Sequence, residues 1–302
     1  MSQRAPFISV VVPTYRRWDR LQLTLAALED QRMPKQDFEV IVSDDGSGDG
    51  TVERLNAYAA KTKLNMVAIT GPNGGPAMAR NRGMAKARGE WVAMTDDDCV
   101  PEQDWLVKHA EFIREHPEYG AFGGQVVRYK DTVISRYVDW TESMLPPLDN
   151  DGGRQYLVTA NALFRRDLLV RLGGFNETYR WPGGEDSDLS FRAIAMGTVL
   201  GYNPEGIVRH MHRESVRGTD RMFWHHGLGY GTLLVQQGKP LEAFWPHVLD
   251  EKKKEGIRKA FRERSFFEAF IFAFLEHRRR VSFYEGMKAA ESFVRGETTS
   301  SN

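Results

Sequence analysis

Three short apolar runs stand out in the first half of the chain: Ile8-Ser9-Val10-Val11-Val12, Phe38-Glu39-Val40-Ile41-Val42 and Trp91-Val92-Ala93-Met94. Their length and β-branched content predict strands buried on both faces, because a strand covered on one side alone would alternate apolar with polar. Between them, Arg20 to Asp30 sets Leu21, Leu25 and Leu28 on one helical face, and Thr51 to Lys61 is a second helical pattern. Strand and helix in turn predict a right-handed, mostly parallel twisted sheet flanked by helices, an α/β fold. Beyond Asp98 the pattern becomes irregular, with a turn-rich stretch from Pro146 to Gly153 and an apolar segment around Tyr156 to Phe164. From about Gly238 the character changes to a basic stretch, Lys252-Lys253-Lys254 through Arg264, then a phenylalanine-rich block, Phe266 to Leu275, then Arg278-Arg279-Arg280. We expect a catalytic α/β domain over 1–238, a helical C-terminal extension over 239–302, and a disordered tail from Glu297 to Asn302.

Composition narrows the function classes. At 302 residues the chain can hold one large α/β domain with an appendage. Its 41 basic and 41 acidic side chains cancel, so no global field draws it to nucleic acid. Cys99 is the sole cysteine, which excludes an internal disulfide and any multi-cysteine zinc site and points to a reducing cytoplasm. With no secretory signal and no run of about 18 apolar residues, the expectation is a soluble chain, peripheral at most to the cytoplasmic face of a membrane.

In an open parallel sheet, ligands sit beyond the carboxyl ends of the strands. Three such ends are polar here: Pro13-Thr14-Tyr15-Arg16, Ser43-Asp44-Asp45-Gly46-Ser47 and Thr95-Asp96-Asp97-Asp98. Asp-Gly is ordinary turn chemistry, and Ser47 or Asp49 suits a helix cap; alternatively Asp45 accepts from the imide N–H of a uracil-like base. Three consecutive carboxylates repel one another unless cations compensate, and a Mg²⁺ or Mn²⁺ ion with oxygen ligands would do so while meeting a diphosphate. Gly74-Gly75-Pro76 opens a helix through Arg80, Asn81 and Arg82 whose amides and arginines suit an anion, although a turn followed by a helix with exposed arginines gives the same pattern. Gly183-Gly184-Glu185-Asp186-Ser187-Asp188 starts another helical pattern, closed by Gly197. Acids in a first turn are common dipole partners, yet a carboxylate there is also placed to take a proton from a hydroxyl. His210-Met211-His212 follows a strand-like Gly206 to Arg209, and imidazole is an acceptable Mn²⁺ ligand.

Together these segments resemble the inverting glycosyltransferases of family 2, which have the GT-A fold. The resemblance spans roughly residues 7 to 215 and rests on Val10 to Tyr15, Ser43 to Ser47, Ala79-Arg80-Asn81-Arg82-Gly83, Thr95 to Asp98 and Gly183 to Asp188 in that order. It implies a nucleoside-diphosphate sugar donor, UDP-linked by preference, held by Pro13, Thr14, Tyr15 and Asp45, with Arg16, Gly75, Arg80 and Asn81 in the same donor site and Asp96 and Asp97 near the ribose. It implies Mn²⁺ or Mg²⁺ on Asp98, with Asp96 as a further ligand candidate. Asp186 matches the catalytic base, with Glu185 the neighbouring alternative. A histidine about two dozen positions beyond the base ligates the metal in some members; His210 lies 24 positions on, with His212 in reserve. The acceptor would be a saccharide or a lipid-linked hydroxyl, in synthesis of polysaccharide, glycolipid or another glycoconjugate.

Rival readings are a sugar nucleotidyltransferase and a nucleotide-sugar-binding protein without turnover. The first normally has a glycine-rich N-terminal loop where this chain has Pro13-Thr14-Tyr15-Arg16-Arg17, and no Gly-x4-Gly-Lys-Ser/Thr sequence is present. For the C-terminal block, Phe266, Phe267, Phe270, Ile271 and Phe274 define an apolar helical face. Two expectations compete: packing on the catalytic domain or a second subunit, or lying in a membrane interface.

Overall fold

The computed structural model describes residues 5–148, 153–241 and 258–295. The basic run Lys252 to Lys254, the middle of the Pro146–Gly153 turn and the expected tail from Glu297 lie outside the described residues. In chain order the elements are β1 (Ile8–Thr14), α1 (Trp18–Glu29), β2 (Phe38–Asp44), α2 (Thr51–Ala59), β3 (Met66–Thr70), α3 (Pro76–Met84), β4 (Trp91–Met94), β5 (Cys99–Pro101), α4 (Trp105–Glu115), β6 (Ala121–Arg128), α5 (Val133–Trp140), β7 (Ala162–Arg165), α6 (Arg166–Leu172), α7 (Glu185–Ala195), β8 (Leu200–His210), α8 (Val216–Gln236) and α9 (Phe266–Val294). They form two compact units, one of Met1–Tyr129, Glu142–Arg180 and Glu185–His212, the other of Lys130–Thr141, Trp181–Gly184 and Arg213–Asn302.

The first unit contains an eight-stranded sheet in the order β3-β2-β1-β4-β7-β6-β8-β5. β3, β2, β1 and β4 run parallel, β7 is antiparallel to both its neighbours, β6 and β8 are parallel, and β5 closes the far edge antiparallel. The unbroken apolar runs are explained by cover on both faces. Val10, Val12, Val40 and Val42 pack with Leu21, Leu25 and Leu28 of α1, whereas Val11 and Ile41 point the other way, into a cluster with Ala77 of α3 and Leu189 of α7. Because β1, β2 and β4 are parallel and in register, with Thr14 opposite Asp44 and Val11 opposite Met94, their three polar carboxyl ends meet on one edge.

The β6–β8 ladder slips between Gly124 and Gln125, which pair with Asn203 and Ile207 respectively, so Pro204 to Gly206 bulge out. Pro204 has no N–H to give a ladder, and Asn161 fills the gap by donating from Nδ2 to Gln125 O (2.9 Å) and Gly206 O (2.8 Å). His109, wholly buried, lies 3.1 Å through Nε2 from Asn161 Oδ1 and 3.1 Å through Nδ1 from Asn203 Nδ2. That pattern suits the neutral ring, and burial pulls its pKa down to about 4, opposed by the Asn161 contact. Between about 4 and the unfolded value near 6.5, the unfolded chain binds a proton that the folded chain refuses. Stability therefore falls as the pH drops through that window, by on the order of 3 kcal/mol in total. Urea unfolding at pH 7 and 4.5 should show a smaller pH dependence in His109→Gln than in the wild type; equal dependences would remove His109 from the account.

In the second unit α8 and α9 pack closely, at Gly227 and Gly286 through backbone contact. A Cβ at either position would sit 1.8 Å from Phe283 O or 1.9 Å from Trp224 O. Phe272, Ala269 and Leu275 of α9 pack with Tyr137 and Val138 of α5 and Phe223 of α8. The buried Glu276 carboxylate accepts from Tyr137 Oη at 2.9 Å and is neutralised by Arg279 and Arg280, each at 2.7 Å. The expected apolar face divides: Phe266, Phe267, Phe270 and Phe274 are exposed, while Ile271 packs against the inner cluster. Among the described residues no helix is long and apolar enough to cross a membrane.

Candidate active site

The loop after β4 is the centre of the site. Asp97 is 3% exposed and accepts from Thr14 Oγ1 (2.8 Å) at the end of β1 and from Arg17 Nη1 (3.1 Å). Burial pushes its pKa up to about 6, Arg17 opposing and Asp98 adding to the rise. Asp98 takes Arg17 and Arg20 on Oδ2, at 3.2 and 3.1 Å, while Oδ1 lies 3.4 Å from His210 Nε2. Asp96 accepts from Arg80 Nη2 at 2.8 Å. The repulsion expected of three consecutive carboxylates is thus relieved largely by three arginines. Arg17 and Arg20 were not singled out from the sequence; their signal is two cations three apart immediately after a strand's carboxyl end.

Arg80 is the joint of the site. It is 3% exposed, and its second nitrogen, Nη1, donates to Glu185 Oε1 at 2.9 Å, so one guanidinium ties the acidic loop to the first residue of α7. Removing Arg80 would take the guanidinium away from two acids, one of them buried, and breaking a buried pair in this way usually costs about 3–5 kcal/mol. The bridge also separates the two candidate catalytic acids. Glu185 is 3% exposed and paired with Arg80, whereas Asp186 is partly exposed and, among the described residues, its carboxylate accepts from its neighbour Ser187 N (2.8 Å). Surrounding protein and then the Glu185 charge raise the Asp186 pKa to about 7, Arg80 opposing.

The nucleotide-loop candidates meet at the ends of β1 and β2. Pro13 lies opposite Ser43 in the ladder, and Tyr15 is 40% exposed. Arg16 has a left-handed backbone, φ 53°, held by Arg16 N to Ser47 Oγ (2.8 Å) and Arg16 Nε to Ser47 O (2.9 Å). Asp45 is anchored internally: it accepts from Gly75 N (2.8 Å), Gly74 N (3.1 Å), Asn73 Nδ2 (3.0 Å) and Arg82 Nη2 (2.6 Å). The helix start expected to hold an anion therefore holds Asp45. Gly75 has φ 93°, and a Cβ there would lie 2.2 Å from Arg180 O, so glycine is required for the backbone. Asn81 points elsewhere, pairing with Phe175 N and O and with Glu177.

Side chains of the described residues that converge as potential metal ligands are Asp98, Cys99 and His210, within 4.8 Å of one another. Cys99 is a buried thiol with its pKa pushed well up by desolvation, and it is too soft for Mg²⁺ or Mn²⁺. Asp98 oxygen and His210 nitrogen fit such an ion: octahedral bonds of about 2.1 Å place neighbouring ligands about 3 Å apart. His212 stands behind His210, Nδ1 to Nδ1 at 2.9 Å, an arrangement that orients the first ring through its other nitrogen. Neither Asp96 nor His212 belongs to the converging group.

Residues 9–173 match the family model of glycosyl transferase family 2. The chain belongs to that family. Glycosyltransferase AglE of Haloferax volcanii is 30% identical over 178 residues, 58% of each chain. The poly(ribitol-phosphate) beta-N-acetylglucosaminyltransferase TarS of Staphylococcus aureus is 37% identical over 108 residues, 36% of this chain and 19% of that protein. The matched stretch thus spans less than two thirds of these relatives. Among solved structures, the family 2 chain superposes on mannosyltransferase PcManGT of Pyrobaculum calidifontis in complex with GDP-Man and Mn²⁺, with TM-score 0.61 and 22% identity over 97% of this chain and 87% of that one. It superposes on S. aureus TarS 1-349 in complex with UDP-GlcNAc with TM-score 0.58, 20% identity and coverage of 96% and 92%. These likenesses establish the GT-A fold.

Proposed function

We propose that this family 2 chain transfers a sugar from a nucleoside-diphosphate sugar, preferably UDP-linked, to an acceptor hydroxyl with inversion at the anomeric carbon. The observation that carries the reading is the Arg80 bridge, which joins the loop of Asp96, Asp97 and Asp98 to the Glu185-Asp186 helix start. A group suited to a diphosphate and its metal is thereby tied to a carboxylate suited to proton removal. Asp186 takes the proton of the acceptor hydroxyl; that oxygen bonds to the anomeric carbon as the bond to the diphosphate breaks. Thr14, Tyr15 and Arg16 flank the nucleoside, and Asp45 acts through the Asn73–Gly75 loop that it holds. Asp98 and His210 would hold Mn²⁺ or Mg²⁺, which when bound neutralises charge on the leaving diphosphate. The acceptor is a saccharide or lipid-linked hydroxyl.

Release of nucleoside diphosphate from a panel of UDP- and GDP-sugars, with and without Mn²⁺, tests the reading. Binding of donors with no release across the panel would instead support a protein without turnover. Within the same assay, His210→Ala should lower Mn²⁺-dependent release more than His212→Ala, because His210 converges with Asp98 at 3.4 Å, and excess Mn²⁺ should restore part of it. The opposite ranking would move the ligand role to His212.

A further inference from the structure

The second unit carries a feature that the transfer chemistry does not use. At the start of α9, Phe266, Phe267, Phe270 and Phe274 are 79, 76, 66 and 50% exposed, and Phe261, 44% exposed, continues the patch with its ring centroid 5.8 Å from that of Phe266. The helix's inner face is already filled by Ala269, Phe272 and Leu275, and among the described residues these outer rings belong to no core cluster. A contiguous aromatic patch of this kind marks a contact surface.

The patch has a cationic border. Arg258, Arg262 and Arg264 are exposed, and among the described residues none of them is ion-paired to an acid. Arg278, whose guanidinium is paired with Asp220, stands over the Phe274 ring at 5.9 Å and adds no unpaired charge to the border. Nearby acids are engaged: Glu268 binds Arg136 at 2.8 Å and Glu263 accepts from Trp140 Nε1 at 3.3 Å. We propose that this face docks peripherally on an anionic lipid membrane, the phenylalanines entering the acyl boundary and the arginines meeting headgroup phosphates. A second copy of the chain fits less well. An isologous contact sets the patch against itself, and so offers phenylalanines and the same cationic border rather than an acidic surface. An anionic surface satisfies rings and cations together.

The test is co-sedimentation of the full chain with vesicles of phosphatidylcholine alone and of phosphatidylcholine with phosphatidylglycerol, alongside its oligomeric state by sedimentation equilibrium. The wild type should bind the anionic vesicles and largely ignore the neutral ones. A variant with Phe266→Ser, Phe267→Ser, Phe270→Ser and Phe274→Ser should lose at least tenfold in binding. The set Arg258→Gln, Arg262→Gln and Arg264→Gln should lose on the order of 100-fold, from about fivefold per charge near an anionic surface. All seven positions are exposed, so the thermal midpoint should stay where it is. Wild-type protein that remains in the supernatant with anionic vesicles overturns the proposal, as does a phenylalanine variant that binds like the wild type. A wild-type dimer that the phenylalanine variant turns into monomer, with neither binding vesicles, assigns the face to a second copy instead.

Discussion

Asp186→Asn should lower turnover by roughly 10²- to 10⁴-fold, the range for loss of a general base, while leaving donor affinity and thermal midpoint near wild type. The amide keeps the shape and can still accept from Ser187 N, but it cannot take a proton. Because the carboxyl titrates at about 7, wild-type turnover should fall about tenfold per pH unit below that value as the base becomes protonated. The cause of the shift gives a second readout. Glu185 is the largest electrostatic contributor after burial, so Glu185→Gln should move the acid limb to lower pH, with Arg80 left nearer to Asp186 in effect. Wild-type turnover in Asp186→Asn, or an acid limb unmoved in Glu185→Gln, would take the base away from Asp186.

Asp98→Ala should remove the Mn²⁺-dependent part of nucleoside-diphosphate affinity, by more than roughly the 100-fold at the upper end for loss of a residue that merely orients a ligand. Among the described residues Asp98 is the carboxylate that converges with His210, and Asp96 and Asp97 cannot replace it, because Arg80 and Thr14 hold them in other directions. Arg20 loses its carboxylate partner in this variant and Arg17 keeps only Asp97, so the fold bears part of the change, and Asp98→Asn, which preserves the shape, is the control. Calorimetry of UDP binding with Mn²⁺ and with EDTA reads the difference. The same Mn²⁺ increment in both variants as in the wild type would reject Asp98 as ligand.

The strands that could be read from the sequence were those with unbroken apolar runs, β1, β2 and β4, since burial on both faces leaves a local mark, and the Gly206 to Arg209 end of β8. β3 was not legible, because this edge strand leaves positions such as Val67 exposed, and neither was β6, whose Gly123-Gly124 masks its pattern. The candidate acids were legible as clusters beyond strand ends. Which of them touch was not: Arg80 reaches Glu185 across 105 positions and Asp98 reaches His210 across 112, and such pairings depend on strand order and register. The same holds for Asp45, whose carboxylate is occupied by a loop 28 to 30 positions on. The sequence by itself determined the alternation of strand and helix, the polar ends of the strands and an aromatic helix near the C-terminus, because these depend on neighbours within a few residues. Only the tertiary structure decided that arginines neutralise the acidic triplet, that Glu185 is tied up while Asp186 is not, and that four phenylalanines face outward, because each depends on which distant surface comes to cover the side chain.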